Sequence, residues 1–170
     1  MLRMSQTLSV GFASCALLIA SNLPASAQPG GPCALAPDAV LAQALGPTAH
    51  GIQGLTAPGL ESCGVAAAGQ PTISIYHITG GVDPDDLTAP IGPGQDGAAN
   101  QPTANVQVTP ADGVGDQAVF LTISVGEAGT LLSYRVQRGA EIYAFNTRDA
   151  PEARSTLIEV GKAVLDNLSP

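Results

Sequence analysis

His50 and His77 are the only imidazoles in the chain. A zinc site built on them would need carboxylates brought in by folding, since zinc takes three or four N, S or O ligands. A serine hydrolase would need its nucleophile on a sharp strand-to-helix turn, and no Gly-x-Ser-x-Gly occurs. Ser74 near His77 reads as chance spacing. A small hydrolase using His77 with carboxylates of an acidic loop is the enzymatic alternative. Those carboxylates are Asp83, Asp85 and Asp86, with Asp96 further on. They could gather oxygens around Ca²⁺. The spacing is not that of an EF-hand, which needs Gly at loop position six and a bidentate Glu at twelve. The simpler reading is a solvated acidic loop. Gly113, Gly115 and Ala118 match Gly-x-Gly-x-x-Ala, but a dinucleotide loop follows a strand and opens a helix. Here an alternating strand follows, and Asp116 would oppose the phosphates. The segment reads as a turn in which Asp116 bonds its own backbone, and no cofactor is expected.

The remaining candidates for contact chemistry are aromatic. If Phe120, Tyr143 and Phe145 share the face turned away from the helices, they form an apolar patch on which, with His77, a ligand could sit. If they share the other face, they complete the core.

These residues sit in a chain that reads as exported. Met1–Arg3 supply a positive start, an apolar run covers Leu8–Leu23, and Pro24 precedes Ala25-Ser26-Ala27. That is the order of a secretory signal, with cleavage expected after Ala27. The run is short of the roughly 20 residues that span a bilayer, so no transmembrane segment is expected after cleavage. Phe12-Ala13-Ser14-Cys15 is a poor lipobox, and the apolar run continues past Cys15, which argues against a lipid anchor there. In an oxidising compartment the two cysteines left, Cys33 and Cys63, pair by default. Neither has a metal-ligating neighbour, and they are not a Cys-x-x-Cys redox pair.

The whole chain has 170 residues, with six Lys or Arg against fourteen Asp or Glu, a net charge of −8. With Arg3 removed, every cation lies at Arg135 or later. No basic stripe exists to meet a phosphate backbone, so nucleic acid is excluded as a partner. Gly and Pro, at 20 and 14, are too many for a helical bundle, and 45% hydrophobic residues are too many for a disordered acidic chain. Residues 28–170 fit one domain.

The elements that must position the candidates follow from periodicity. Pro37–Leu45 reads as a short helix stopped by Gly46-Pro47. Residues 46–59 read as loop, with Gly or Pro at six of fourteen positions. Strands are expected near 61–66, 72–79 and 106–108. A flexible, acidic, Pro- and Gly-rich loop is expected over 82–105. Val119, Leu121, Ile123 and Val125 alternate with polar or aromatic residues, and Leu132, Tyr134 and Val136 do the same. Turns at 126–129 and 138–141 then give a meander over 117–146. Asp149 and Glu152 have the spacing of a capping box. Beyond them Leu157, Val160, Gly161, Val164, Leu165 and Leu168 mark one face of a helix. Such a helix must cover the meander, which makes the fold α+β: an antiparallel sheet with both helices packed on one face.

Three features together carry a resemblance: Cys33-Ala-Leu-Ala-Pro37 opening a helix that ends in Leu45-Gly46, a second Cys about 30 residues on in a strand, and Gly113-Val-Gly-Asp-Gln-Ala118 entering the meander before a closing amphipathic helix. The chain resembles the small exported lipoprotein domains of unknown function best known from actinobacteria. The resemblance implies an α+β domain with a helix-to-strand disulfide, tied to the cell envelope and suited to binding or sensing rather than catalysis. The expectation is therefore an exported, periplasmic or secreted, non-catalytic module for an unidentified envelope protein or small ligand. The hydrolase is second, and a structural or assembly role third.

Overall fold

The computed structural model describes residues 33–80, 83, 85–89, 104–112, 114–126 and 129–168. The signal-like segment 1–27 with Cys15, together with Gly113, Asp96 and most of the 82–105 loop, lies outside the described residues. In chain order the elements are α1 (Asp38–Leu45), β1 (His50–Ala57), β2 (Leu60–Ala66), β3 (Ile73–Ile78), β4 (Ala104–Pro110), β5 (Gln117–Val125), β6 (Thr130–Arg138), β7 (Glu141–Arg148) and α2 (Ala153–Asn167). The seven strands form one sheet in the order β1-β2-β3-β7-β6-β5-β4. Every neighbouring pair is antiparallel. The protein is α+β.

The sheet joins two runs of hairpins where β3 meets β7, with Ile75 opposite Phe145 and His77 opposite Tyr143. Side chains alternate between faces along each strand. One face carries Val65, Ile75, Phe120, Tyr134, Val136 and Phe145, all buried. Over it lie Leu41 and Leu45 of α1 and Leu157, Val160, Val164 and Leu165 of α2. The stripe expected on α2 is the stripe that packs. Gly161 stands in it because a Cβ there would lie 2.9 Å from a Tyr134 ring carbon.

Three details differ from the sequence reading. The Gly- and Pro-rich stretch 46–59 is not all loop, for His50–Ala57 is the edge strand β1. Pairing with β2 overrides composition there, and the Gly51 N–H is held by Asp38 Oδ1 at 2.9 Å. The capping box at the start of α2 does not form. Glu152 is the cap residue and makes no side-chain cap bond. Instead the Ser155 and Thr156 hydroxyls both donate to its carbonyl, and the Asp149 N–H donates to Thr130 O in β6. Finally, the far face of the sheet is not bare. Leu87 is buried against Ile78, Ile142 and Ala144. Arg135, only 2% exposed, donates to the carbonyls of Leu87 and Ala89 and thereby ties 87–89 down across that face. Burial pulls its guanidinium down to about 10, still charged at neutral pH. No helix among the described residues is long and apolar enough to cross a membrane.

Candidate functional site

The row of residues at one end of the helix-covered face brings Glu61, His77 and Tyr143 side by side on β2, β3 and β7. The His77 ring stacks on Tyr143, with centroids 4.5 Å apart and planes 7° from parallel. Its Nδ1 lies 3.4 Å from Glu61 Oε2, and its Nε2 lies 3.2 Å from Glu141 Oε2. The second contact has ion-pair distance but not hydrogen-bond direction, so the Nε2 atom has no hydrogen-bond partner. Tyr143 OH donates to the same Glu141 oxygen at 2.7 Å. That bond, more than the nearby imidazole, holds the Glu141 carboxyl below the usual carboxylate range. Burial, and then the hydrogen bond to Glu141, push the Tyr143 phenol up.

The chemistry open to this cluster is limited by where its parts point. The two carboxylates lie at opposite edges of one ring, so no single ion could touch both of them and a ring nitrogen. No set of three or more His, Cys, Asp or Glu among the described residues could hold a metal. His77 lines none of the hollows described below. The cluster acts as a clamp across β2, β3 and β7. One measurable consequence follows from Glu141. A carboxyl whose pKa is lower folded than unfolded stabilises the fold above its unfolded value, near 4.3, and loses that contribution as pH falls through the folded value. Glu141→Gln is expected to cost about 1 kcal/mol at pH 7, kept modest by solvent screening. In urea unfolding, the gap to the parent should narrow as the pH is taken below 4.3. A gap that widens on acidification would contradict the clamp.

The other sequence candidates are placed as follows. His50 begins β1 opposite Ala66, with its ring against Thr48 O. Thr56 of the same strand is opposite Glu61, the residue beside His77, which puts the two histidines about 20 Å apart along the strands. They share no site. Asp85 bonds Gln137, on the far side of the sheet from His77. Among the described residues, the acidic loop therefore brings no carboxylate to His77. Asp83, Asp85 and Asp86 are taken up in local turns: Asp83 Oδ1 accepts from the Asp85 N–H, and Asp86 Oδ1 from the Thr88 N–H and hydroxyl. The Thr88 hydroxyl bond holds the Asp86 carboxyl low. Phe120, Tyr143 and Phe145 face the helices and are 4%, 3% and 0% exposed. They are core, not an exposed patch. Asp116 does not close its own turn. Its Oδ2 accepts from the Gly139 N–H at 2.7 Å, fastening the Gly115 turn to the β6–β7 corner. Cys33 and Cys63 are joined as expected, with Cα atoms 5.4 Å apart.

A site that sequence reasoning missed lies on the opposite face, over β1, β2 and β3. A trough of about 370 Å³ there is lined by Ile52, Leu55, Leu60, Ser62, Ser74 and Tyr76 among others, and among the described residues no charged one lines it. Ile52 and Leu55 are about half exposed, at 49% and 51%. Gly64, opposite Ser74, leaves its floor without a side chain. At its border Asn146 of β7 lies opposite Ser74. It is 4% exposed, and neither amide atom has a partner. The only sequence signal was the apolar pair Ile52 and Leu55 within a segment that otherwise reads as loop. Two other hollows are less suited to a ligand. One at the start of α2, about 320 Å³, includes Thr147 and Thr156, whose hydroxyls are spent on Thr72 O and Glu152 O. The groove between α1 and α2 is open and bordered by Glu159, Lys162 and Asp166.

No protein-family profile, no curated protein and no solved structure matches the chain.

Proposed function

We propose that the protein is an exported, non-catalytic binding domain of the cell envelope, and that its ligand surface is the uncharged trough over β1, β2 and β3. The observation that carries the proposal is a hollow lined by apolar and small polar side chains with no charged one among the described residues, in a molecule whose His77 is engaged elsewhere. Its volume, about 370 Å³, falls within the usual range of ligand sites, about 300–1,000 Å³. The ligand class is a small, uncharged, mainly apolar molecule carrying one hydrogen-bonding group for the Ser62 and Ser74 hydroxyls. Export is supported by the secretory order of residues 1–27 and by the paired cysteines. The likeness to the actinobacterial exported lipoprotein domains points the same way.

The test uses an uncharged dye whose fluorescence rises in apolar surroundings. Dye titrated into the exported protein should saturate. Leu55→Asp should weaken binding by about tenfold, because half a leucine of contact is lost and a charge is set against an apolar ligand. Leu55 is exposed, so stability should move by no more than about 0.5 kcal/mol. Equal binding by the parent and the variant, or no saturable binding, would remove the trough as the site.

A further inference from the structure

The two outer strands of the sheet are β1 and β4, and they differ. β1 carries a bulge between Gly51 and Gln53, which interrupts its ladder and blunts its edge. β4 is regular, with every residue from Ala104 to Pro110 matched one for one with β5. Residues 105–110 are all exposed, including Val106 at 40% and Val108 at 48%. The strand holds no Lys, Arg, Asp or Glu, the residues with which sheet proteins usually protect an edge.

Its hydrogen-bonding direction can be read from one bond. The Ala111 N–H donates to Ala118 O, extending the register in which Pro110 faces Val119. In an antiparallel ladder alternate residues bond the same neighbour. Counting back, Thr109, Gln107 and Asn105 bond β5, while Val108 and Val106 direct both N–H and C=O outward. No described residue pairs with that side of β4.

We propose that β4 is a homodimerisation edge, on which two copies pair Ala104–Pro110 antiparallel about a two-fold axis through Gln107. The occupant is a second copy because the strand reads nearly the same in both directions. Val106 meets Val108 of the other copy, Asn105 meets Thr109, Ala104 meets Pro110, and Gln107 meets itself. A two-fold interface requires this self-complementarity. The register is also set by chemistry. Centring the pair on Val108 would put Val106 opposite Pro110, which has no N–H to give. Centring it on Val106 would draw Val108 onto Ala104 and leave Pro110 unmatched. Only the Gln107 axis sets every valine against a valine and matches all seven residues of the strand. It brings the four valines together on the face that carries Leu121 and Ile123, and the two glutamine amides together on the other.

Two kinds of variant test this on the exported protein. Gln107→Cys places two thiols at a non-hydrogen-bonded pair, about 4.5 Å between Cα atoms, within disulfide reach. It should give a covalent dimer under mild oxidation. Asn105→Cys sets its two thiols about 13 Å apart in this register and should not. Val108→Pro removes an outward N–H that β5 does not use, so the monomer keeps its ladder. In sedimentation equilibrium at tens of micromolar the parent should show twice the chain mass, and Val108→Pro should dissociate at least tenfold more readily. Should Val108→Pro fail to fold, the cysteine pattern still decides. A monomeric parent, a dimer indifferent to Val108→Pro, or equal cross-linking at both cysteines would overturn the proposal.

Discussion

Gly115→Ala is expected to lower the unfolding free energy by about 3–5 kcal/mol, a large part of the total for a domain of this size. Gly115 has φ +76°, and a Cβ there would lie 2.3 Å from Gln137 O and 2.5 Å from Val136 Cγ1. The first contact is with backbone and the second with a valine that is fully buried under the helices, so neither partner can swing aside. The turn cannot retreat either. The Asp116 N–H donates to the same Gln137 carbonyl at 2.8 Å, and its carboxylate holds the Gly139 N–H. Gly139→Ala is the control. Gly139 also has positive φ, at +60°, but a Cβ there would meet nothing within 4 Å. It should cost only the left-handed backbone penalty, about 1–2 kcal/mol. The excess of Gly115 over Gly139 in urea unfolding measures the close approach itself. Equal losses at the two sites would show that the turn does not press on β6.

How far such features could be read beforehand depends on the range of the interaction that fixes them. The apolar stripe of α2 was legible because residues three and four apart in sequence make it. The alternation of β5 and β6 was legible for the same reason. Alternation says which residues share a face but not which face is covered by what. Phe120 and Phe145 could therefore be assigned together, yet only the placement of α2 decides that they are core. Arg135 alternates with Tyr134 as a surface residue should. It is buried because Leu87 and Ala89, 48 and 46 positions earlier, lie over it. His77 was visible as the one histidine in a strand. Glu61 and Glu141 were not visible as its neighbours: the first depends on the exact register of β2 on β3, 16 positions apart, and the second on a pairing of β3 with β7 that closes over more than sixty residues. β1 escaped because its glycines remove the side chains from which a period of two is read, while its partner strand supplies the order.

Removing the Cys33–Cys63 bond should cost about 3–4 kcal/mol. The cross-link closes a loop of 30 residues that contains all of α1 and β1. Freeing that loop enlarges the unfolded ensemble, and the chain-entropy account puts the effect at this size. The folded state offers little to compensate. α1 has eight residues and no side-chain cap, well short of the roughly 12–15 residues at which an isolated helix becomes marginally stable. Its remaining anchors are Leu41 and Leu45 in the core, Val40 and Ala44 packed against it, and the bond from Gly51 N–H to Asp38. Cys33→Ser with Cys63→Ser tests this without leaving a free thiol. Each serine hydroxyl also enters a buried site, at 2% and 3% exposure, so Cys33→Ala with Cys63→Ala should be run beside it. If loop entropy dominates, both pairs lose about the same amount in urea unfolding, and chemical reduction of the parent loses it too. Hydrogen exchange then separates global from local effects. The amides of β6 and β7 should lose protection by the full amount, because the unfolded state itself has gained entropy, whereas simple undocking of α1 would leave them unchanged. A loss confined to α1 and β1, or a total below about 1 kcal/mol, would mean that packing alone holds the first helix on the sheet.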